Sequence, residues 1–227
     1  MSDIVLIDKP TGITSFDVIR RLRRQLNIKK MGHAGTLDPM ASGLMIIGVG
    51  EGTKKLTDYI KLDKEYVAEI LVGVKTESGD LEGVVLEERL ITDEEVEEIF
   101  SGEKISSTLK SMIGVLTLPV SAYSAIKREG VPLYKKAREA LLRGQSIPDS
   151  DLPIREMKVY EAELLDIAYD NENKKVVIKT RFKVGSGTYI RSLGEELGVR
   201  LGNYPATLKS LRRTKIGEWS IEEADNI

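Results

Sequence analysis

The sequence predicts an α+β fold with a mixed, largely antiparallel central sheet and flanking helices. Residues 174–184, KKVVIKTRFKV, alternate Val176, Ile178, Thr180, Phe182 and Val184 with Val177, Lys179, Arg181 and Lys183, the period of a half-buried strand. The preceding run MKVYEAELLDIAYD is joined to it by DNEN, whose residues suit a turn, so the two read as a hairpin. Helical segments lie between strands in adjacent hairpins, which points to α+β rather than to a repeated strand–helix–strand unit. No internal repeat or low-complexity linker interrupts the 227 residues, so residues 1–227 are expected to form one catalytic-sized domain.

The elements follow in order. IVLID at 4–8 is a short strand. TSFD at 14–17 has the spacing of a capping box and starts a helix that places Phe16, Ile19, Leu22 and Leu26 on one face and arginines around the other. LMIIGVG at 44–50 is continuous and apolar, as in a strand buried on both faces. EYVAEILVGV at 65–74 is a further strand, and GVVLEERL pairs with it across KTESGDLEG. TDEEVEEIFS carries its own cap and forms an acidic helix, and PLYKKAREALLRG at 132–144 forms an amphipathic one that stops at Gly144. After GSGT, the run YIRSLGEELGVRL gathers Ile190, Leu193, Leu197 and Leu201 on one helix face.

Composition narrows the chemistry. The chain has no cysteine and one histidine, which removes disulfides, thiolate catalysis and nearly every zinc or redox-metal site, leaving a carboxylate-only magnesium site open. No apolar run approaches the roughly 18 residues of a membrane span, and the N-terminus lacks the pattern of a signal peptide, so a cytoplasmic protein is expected. The net charge is −2, yet residues 20–30, RRLRRQLNIKK, hold six basic and no acidic side chains, and KSLRRTK at 209–215 holds four more. Acid is gathered elsewhere, so these runs predict a basic surface stripe suited to phosphate. A nucleotide cofactor is disfavoured: GVGEGTKK lacks the lysine placement of a phosphate loop and reads G-x-G-x-G, not G-x-G-x-x-G.

Residues 29–50, KKMGHAGTLDPMASGLMIIGVG, contain the single histidine, His33, and an Asp-Pro step at Asp38. A residue before proline is forced into extended backbone, and Gly32 and Gly35 permit sharp turns upstream. The loop therefore displays a carboxylate on a stiff support between a basic helix and a buried strand, either as a turn-forming Asp or as a site. Arg191, in the first turn of its helix, occupies a place mildly unfavourable for positive charge, which hints at a carboxylate partner.

Five blocks, DKPTGITSFDVIRRLR, GHAGTLDPMASGLMIIGVGEGTK, KEYVAEILVGVKTESGDLEG, YSAIKREGVPLYKKARE and GTYIRSLGEELGVRLG…LRRTKIGEW, occur in one order and run from about residue 4 to 219. In this the chain closely resembles the TruB family of pseudouridine synthases. The resemblance implies the pseudouridine synthase fold and isomerisation of a T-loop uridine of tRNA to pseudouridine, by base flipping and a catalytic aspartate, with no cofactor. It implies Asp38 as that aspartate, Tyr66 as the tyrosine stacked on the target base, and Arg191 as the arginine paired with the aspartate. It implies that His33 holds the everted loop of the RNA and that Lys9 lies in a Lys-Pro step near the site. Lys9, Arg20, Arg23, Arg24, Lys127, Arg212 and Arg213 are expected to contact RNA, with a clamping segment at about 121–152. The expected partner is the T-arm stem-loop of tRNA, with no membrane, bound by a monomer. A non-catalytic RNA-binding or RNA-folding module, or a synthase for another RNA, is the alternative. Two departures touch RNA contacts: LPVSAYSAIK lacks a second proline found in the family, and PATLKS replaces an Ala-His step. The small C-terminal PUA domain of many relatives is expected to be absent, because the sequence ends at Ile227. Asp80, in SGDLEG, reads as a turn or supporting residue.

Overall fold

The computed structural model describes residues 3–124, 126–128, 130–143, 145, 147–148 and 151–227. In chain order these form β1 (Ile4–Lys9), α1 (Ser15–Leu26), β2 (Met31–His33), β3 (Ser42–Val49), α2 (Leu56–Ile60), β4 (Lys64–Val72), β5 (Val74–Thr76) and β6 (Val85–Glu88). There follow α3 (Asp93–Glu98), α4 (Gly102–Ser111), β7 (Gly114–Pro119), β8 (Lys127–Arg128), β9 (Val131–Pro132) and α5 (Leu133–Leu142). The chain closes with β10 (Ile154–Asp170), β11 (Lys175–Val184), α6 (Ile190–Arg200), β12 (Ala206–Ile216), β13 (Trp219–Ser220) and β14 (Asp225–Asn226). Most strands join a large mixed sheet, as the α+β reading requires.

The chain divides into two compact units, one of Met1–Ala68, Arg181–Gly187 and Ser210–Ile227, the other of Glu69–Thr180 and Thr188–Lys209. Strands β4, β11 and β12 each contribute residues to both. In the first unit the strand order is β14-β1-β3-β12-β4-β11, with β2 paired to β3 and β13 to β12. β1 runs antiparallel to β3, pairing Lys9 with Gly43, and β12 runs parallel to β3, pairing Arg213 with the same glycine. Lys9, Gly43 and Arg213 thus form one row across three strands. The apolar run of β3 is buried along nearly its whole length. Ala34, Leu44, Ile46 and Ile216 make a core cluster against which Leu6, Leu56, Tyr59 and Trp219 pack. The capping box at Thr14 forms as expected, its hydroxyl accepting from the Asp17 amide. The expected apolar face of α1 does not: the helix buries Ser15, Val18, Ile19 and Leu22, while Phe16 and Leu26 are exposed.

In the second unit the order is β12-β4-β11-β10-β7, with β10 antiparallel to β7. β10 and β11 are the hairpin read from DNEN. The strand expected over 65–74 is broken at Gly73, which takes φ +101°; the piece beyond it, β5, forms the hairpin with β6. A Cβ at Gly73 would lie 2.7 Å from the Arg89 carbonyl, so the break is a close backbone approach. Helix α3 has the cap read at Thr92, and α4, with Ser101 as its N-cap, was not anticipated. Ile190, Leu193, Leu197 and Leu201 are all buried, as their spacing on α6 predicts. The helix of residues 132–144 forms as α5; its expected stop, Gly144, lies outside the described residues.

Gly43 takes φ +112°, and a Cβ there would sit 2.2 Å from the Arg213 carbonyl oxygen. Gly12 takes φ +83° with nothing within 4 Å. Gly43→Ala is therefore expected to lose well over ~2 kcal/mol of stability or to fail to fold, and Gly12→Ala only about 1 kcal/mol of backbone strain. Urea unfolding of the two variants checks this, and equal losses would contradict it.

Candidate active site

Asp38 lies in the loop between β2 and β3, partly exposed, and its carbonyl accepts from the Ala41 amide at 3.1 Å. Asp followed by Pro suits the first two places of such a turn. Leu37 and Ala41, on either side, are buried and anchor the loop while leaving Asp38 at the surface.

Three side chains of the first unit hold that loop by its backbone. The Arg213 guanidinium donates from Nε to the Leu44 carbonyl at 2.8 Å and from Nη2 to the Gly35 carbonyl at 3.2 Å, so one group ties both feet of the loop. The Ser15 hydroxyl donates to the Leu37 carbonyl at 2.9 Å and accepts from the Leu37 amide at 2.9 Å. The Lys9 ammonium donates to the carbonyls of Pro10 (2.9 Å), Ile13 (2.8 Å) and Pro39 (3.4 Å). The Gly12 amide reaches the Pro39 carbonyl at 2.8 Å. A buried charge is tolerated when it is fully hydrogen-bonded, and here the acceptors are the carbonyls of the loop and its neighbours.

This arrangement corrects two expected RNA contacts. Lys9 is 0% and Arg213 1% exposed, so both face inward and support the loop instead of reaching a ligand. Within β12 Arg213 turns inward, whereas Lys209 and Lys215 are exposed and Arg212 is partly exposed. The 209–215 run is therefore not a continuous surface stripe. Arg212 is partly exposed and forms a two-pronged pair with Asp8, at 3.2 and 2.6 Å, with a further contact to Ser42 Oγ. On α1, Arg20 pairs with Asp17, Arg23 donates to the Met31 carbonyl at 3.4 Å, and Arg24 is exposed.

Tyr66 shares the buried face of β4 with Lys64, Ala68, Ile70 and Val72. Lys64 donates to the carbonyls of Ile60 and Leu62, and burial first, then the nearby Arg213 charge, pushes its pKa down to about 8. His33 pairs in register with Ile47. Burial, and after it the Arg213 charge, hold its imidazole below the usual 6.5 against a smaller opposing hydrogen bond to the Gly35 backbone. Its Nδ1 is buried without a hydrogen-bond partner among the described residues. The Arg213 charge thus acts on both His33 and Lys64.

Arg191 belongs to the second unit. Its guanidinium donates from Nη1 to the Ser78 carbonyl (2.8 Å) and Ser121 Oγ (3.0 Å), and from Nη2 to the Tyr123 carbonyl (3.0 Å). Asp80 Oδ2 stands 3.8 Å from Nη1, and Asp80 Oδ1 accepts from Ser78 Oγ (2.6 Å) and the Glu82 amide (3.1 Å). Asp80 is therefore built into the loop that cradles Arg191, the supporting part its sequence context suggests. Asp80 thus places one carboxylate within 3.8 Å of the Arg191 guanidinium. Lys127, in the expected clamping segment, is exposed on β8 opposite Pro132. Several other residues of 121–152 lie outside the described set. Among the described residues no group of three or more His, Cys, Asp or Glu could hold a metal ion. Among the described residues no helix is long and apolar enough to cross a membrane.

Comparison with known proteins places this geometry in context. The family model for the TruB family pseudouridylate synthase (N terminal domain) matches residues 23–190. The tRNA pseudouridine synthase B of Fusobacterium nucleatum is 40% identical over 222 residues, covering 98% of this chain and 70% of that protein. The protein of the same name from Desulfotalea psychrophila is 39% identical, covering 97% and 84%. Among solved structures, a chain of a Cbf5-Nop10-Gar1 complex matches with a TM-score of 0.66 and 27% identity over 99% of this chain and 52% of that one. The present chain thus spans about half the length of that structural neighbour.

The folded state resists protonating His33, whereas the unfolded chain takes up that proton near its ordinary pKa of 6.5. Stability carried by this site is therefore lost as the pH falls below about 6.5. Because the chain has a single histidine, its imidazole resonance can be titrated without overlap. A midpoint below 6.5 that rises in Arg213→Leu is expected; a midpoint at or above 6.5 would contradict the burial and charge assigned here.

Proposed function

Because the chain belongs to the TruB family of pseudouridylate synthases, we propose that it isomerises a uridine in the T-loop of tRNA to pseudouridine, with Asp38 as the catalytic carboxylate. The observation that carries this is the loop itself: a surface carboxylate on a backbone tied down by Arg213, Ser15 and Lys9. A turn made for its own sake would not need two buried cations.

The reaction breaks the bond from the sugar C1′ to N1 of the base and forms one from C1′ to C5. The hydrogen on C5 leaves as a proton and N1 gains one, so no oxidant or reductant enters. A carboxylate can assist by attacking the sugar, by attacking the base, or by removing a sugar proton, and in each route it must be held at a fixed distance from the flipped nucleotide. Extruding the base costs a few kcal/mol of lost stacking and pairing. Tyr66 offers an aromatic face that returns roughly 1–3 kcal/mol of it. We assign Arg191 to the same reaction, its guanidinium immobilised by the Ser78, Ser121 and Tyr123 acceptors. Half-exposed Arg212 and the basic face of α1 would then give salt-dependent backbone contacts.

The test is tritium release from a tRNA transcript labelled at uridine C5. Wild type is expected to release close to one equivalent per tRNA. Asp38→Asn, which keeps size and loses charge, is expected to release none within the same time while binding tRNA to within about threefold of wild type. Full release by Asp38→Asn would refute the assignment of the carboxylate. Binding without release by wild type would support the other reading, a non-catalytic RNA-binding module.

A further inference from the structure

Phe16 stands out among the aromatic residues. The chain has three phenylalanines, of which Phe100 and Phe182 are 2% and 0% exposed, whereas Phe16 is 54% exposed. It stands in the first turn of α1, one turn before the buried Ile19 yet turned to solvent. Residues 16, 20, 23 and 24 fall on one helix face by their spacing. The Arg20 and Arg23 guanidinium carbons lie 5.9 and 5.7 Å from the Phe16 ring centroid. Each guanidinium is itself steadied, Arg20 by Asp17 and Arg23 by the Met31 carbonyl. The result is an apolar ring in water with two guanidiniums beside it.

Its place in the chain connects it to the reacting loop. Phe16 directly follows Ser15, whose hydroxyl makes both hydrogen bonds to Leu37, and Leu37 directly precedes Asp38. A ring flanked by guanidiniums presents a π-face and positive charge together, the combination that takes a nucleobase and its phosphates. The surroundings favour RNA over a protein partner: six basic and no acidic side chains occupy residues 20–30 in a chain of net charge −2.

We propose that Phe16, with Arg20 and Arg23, is a stacking platform for an unpaired base of the RNA strand beside the flipped uridine, the two guanidiniums meeting the adjoining phosphates. This rests on the tRNA reading above and adds to it a base contact outside the pocket of the target nucleotide. The platform uses stacking and not apolar bulk, so leucine cannot replace it and tryptophan can.

The experiment measures binding of the tRNA transcript by fluorescence anisotropy for wild type, Phe16→Ala, Phe16→Leu and Phe16→Trp, with thermal melts to show that each is folded. Phe16→Ala and Phe16→Leu are both expected to weaken binding roughly 5- to 150-fold, the factor that corresponds to stacking of one base. Phe16→Trp is expected to bind at least as tightly as wild type. Arg20→Gln is expected to reduce the slope of log K against log salt by about one. Wild-type affinity in Phe16→Ala, or in Phe16→Leu, overturns the platform while tritium release by wild type leaves the tRNA reading standing. A wild type that neither binds nor turns over tRNA overturns both.

Discussion

The backbone of one loop, residues 34–43, is held from within by buried cations. A loop with exposed carbonyls is ordinarily mobile, because water competes for every hydrogen bond. Here Arg213 takes the carbonyls at the two feet, Ser15 takes both polar groups of Leu37, and Lys9 takes the Pro39 carbonyl beside Asp38. Burying an ammonium and a guanidinium is costly in an apolar interior, and the carbonyls offset that cost only when they are correctly placed. The loop and the cations therefore specify each other. The strand register completes the device, since Gly43 pairs with Lys9 on one side and Arg213 on the other and leaves room for the approach of β12.

The same cations shape the chemistry available at the surface. Burial first, and the Arg213 charge after it, lower the affinity of His33 and Lys64 for protons, so the histidine is biased toward its neutral form at neutral pH. A neutral imidazole can both donate and accept, which suits contact with a base or sugar better than with a phosphate. In the proposed reading, phosphate contacts fall instead to side chains that remain at the surface, such as those of α1. Charge in the first unit is thus divided by burial: the inner cations organise backbone, and the outer ones stay at the surface.

Much of this was legible in the sequence. The apolar run of β3, the alternation of β11, the caps at Thr14 and Thr92 and the buried face of α6 are local patterns set by the periods of strands and helices, and they appear where those periods place them. The Asp-Pro step marks a stiff, displayed carboxylate for an equally local reason. What escaped was long-range. That Lys9 and Arg213 are buried depends on carbonyls 30 and 178 positions away in sequence, which no local pattern encodes. Phe16 fits the helical period of the apolar set yet faces water. Gly73 ended a strand that propensity alone would have continued.

Ser15 offers the most direct access to the central claim, that rigidity of this loop is what makes Asp38 effective. Ser15→Ala removes two hydrogen bonds from Leu37 without touching Asp38 or adding bulk. The decisive measurement is the single-turnover rate of tritium release at saturating enzyme, with tRNA binding measured alongside. A rate reduced by about tenfold or more, with affinity within twofold of wild type, is the expected result, since small misplacements of a reacting group carry losses of that order. An unchanged rate in folded Ser15→Ala would contradict it, and would mean that Asp38 acts without the support of its loop.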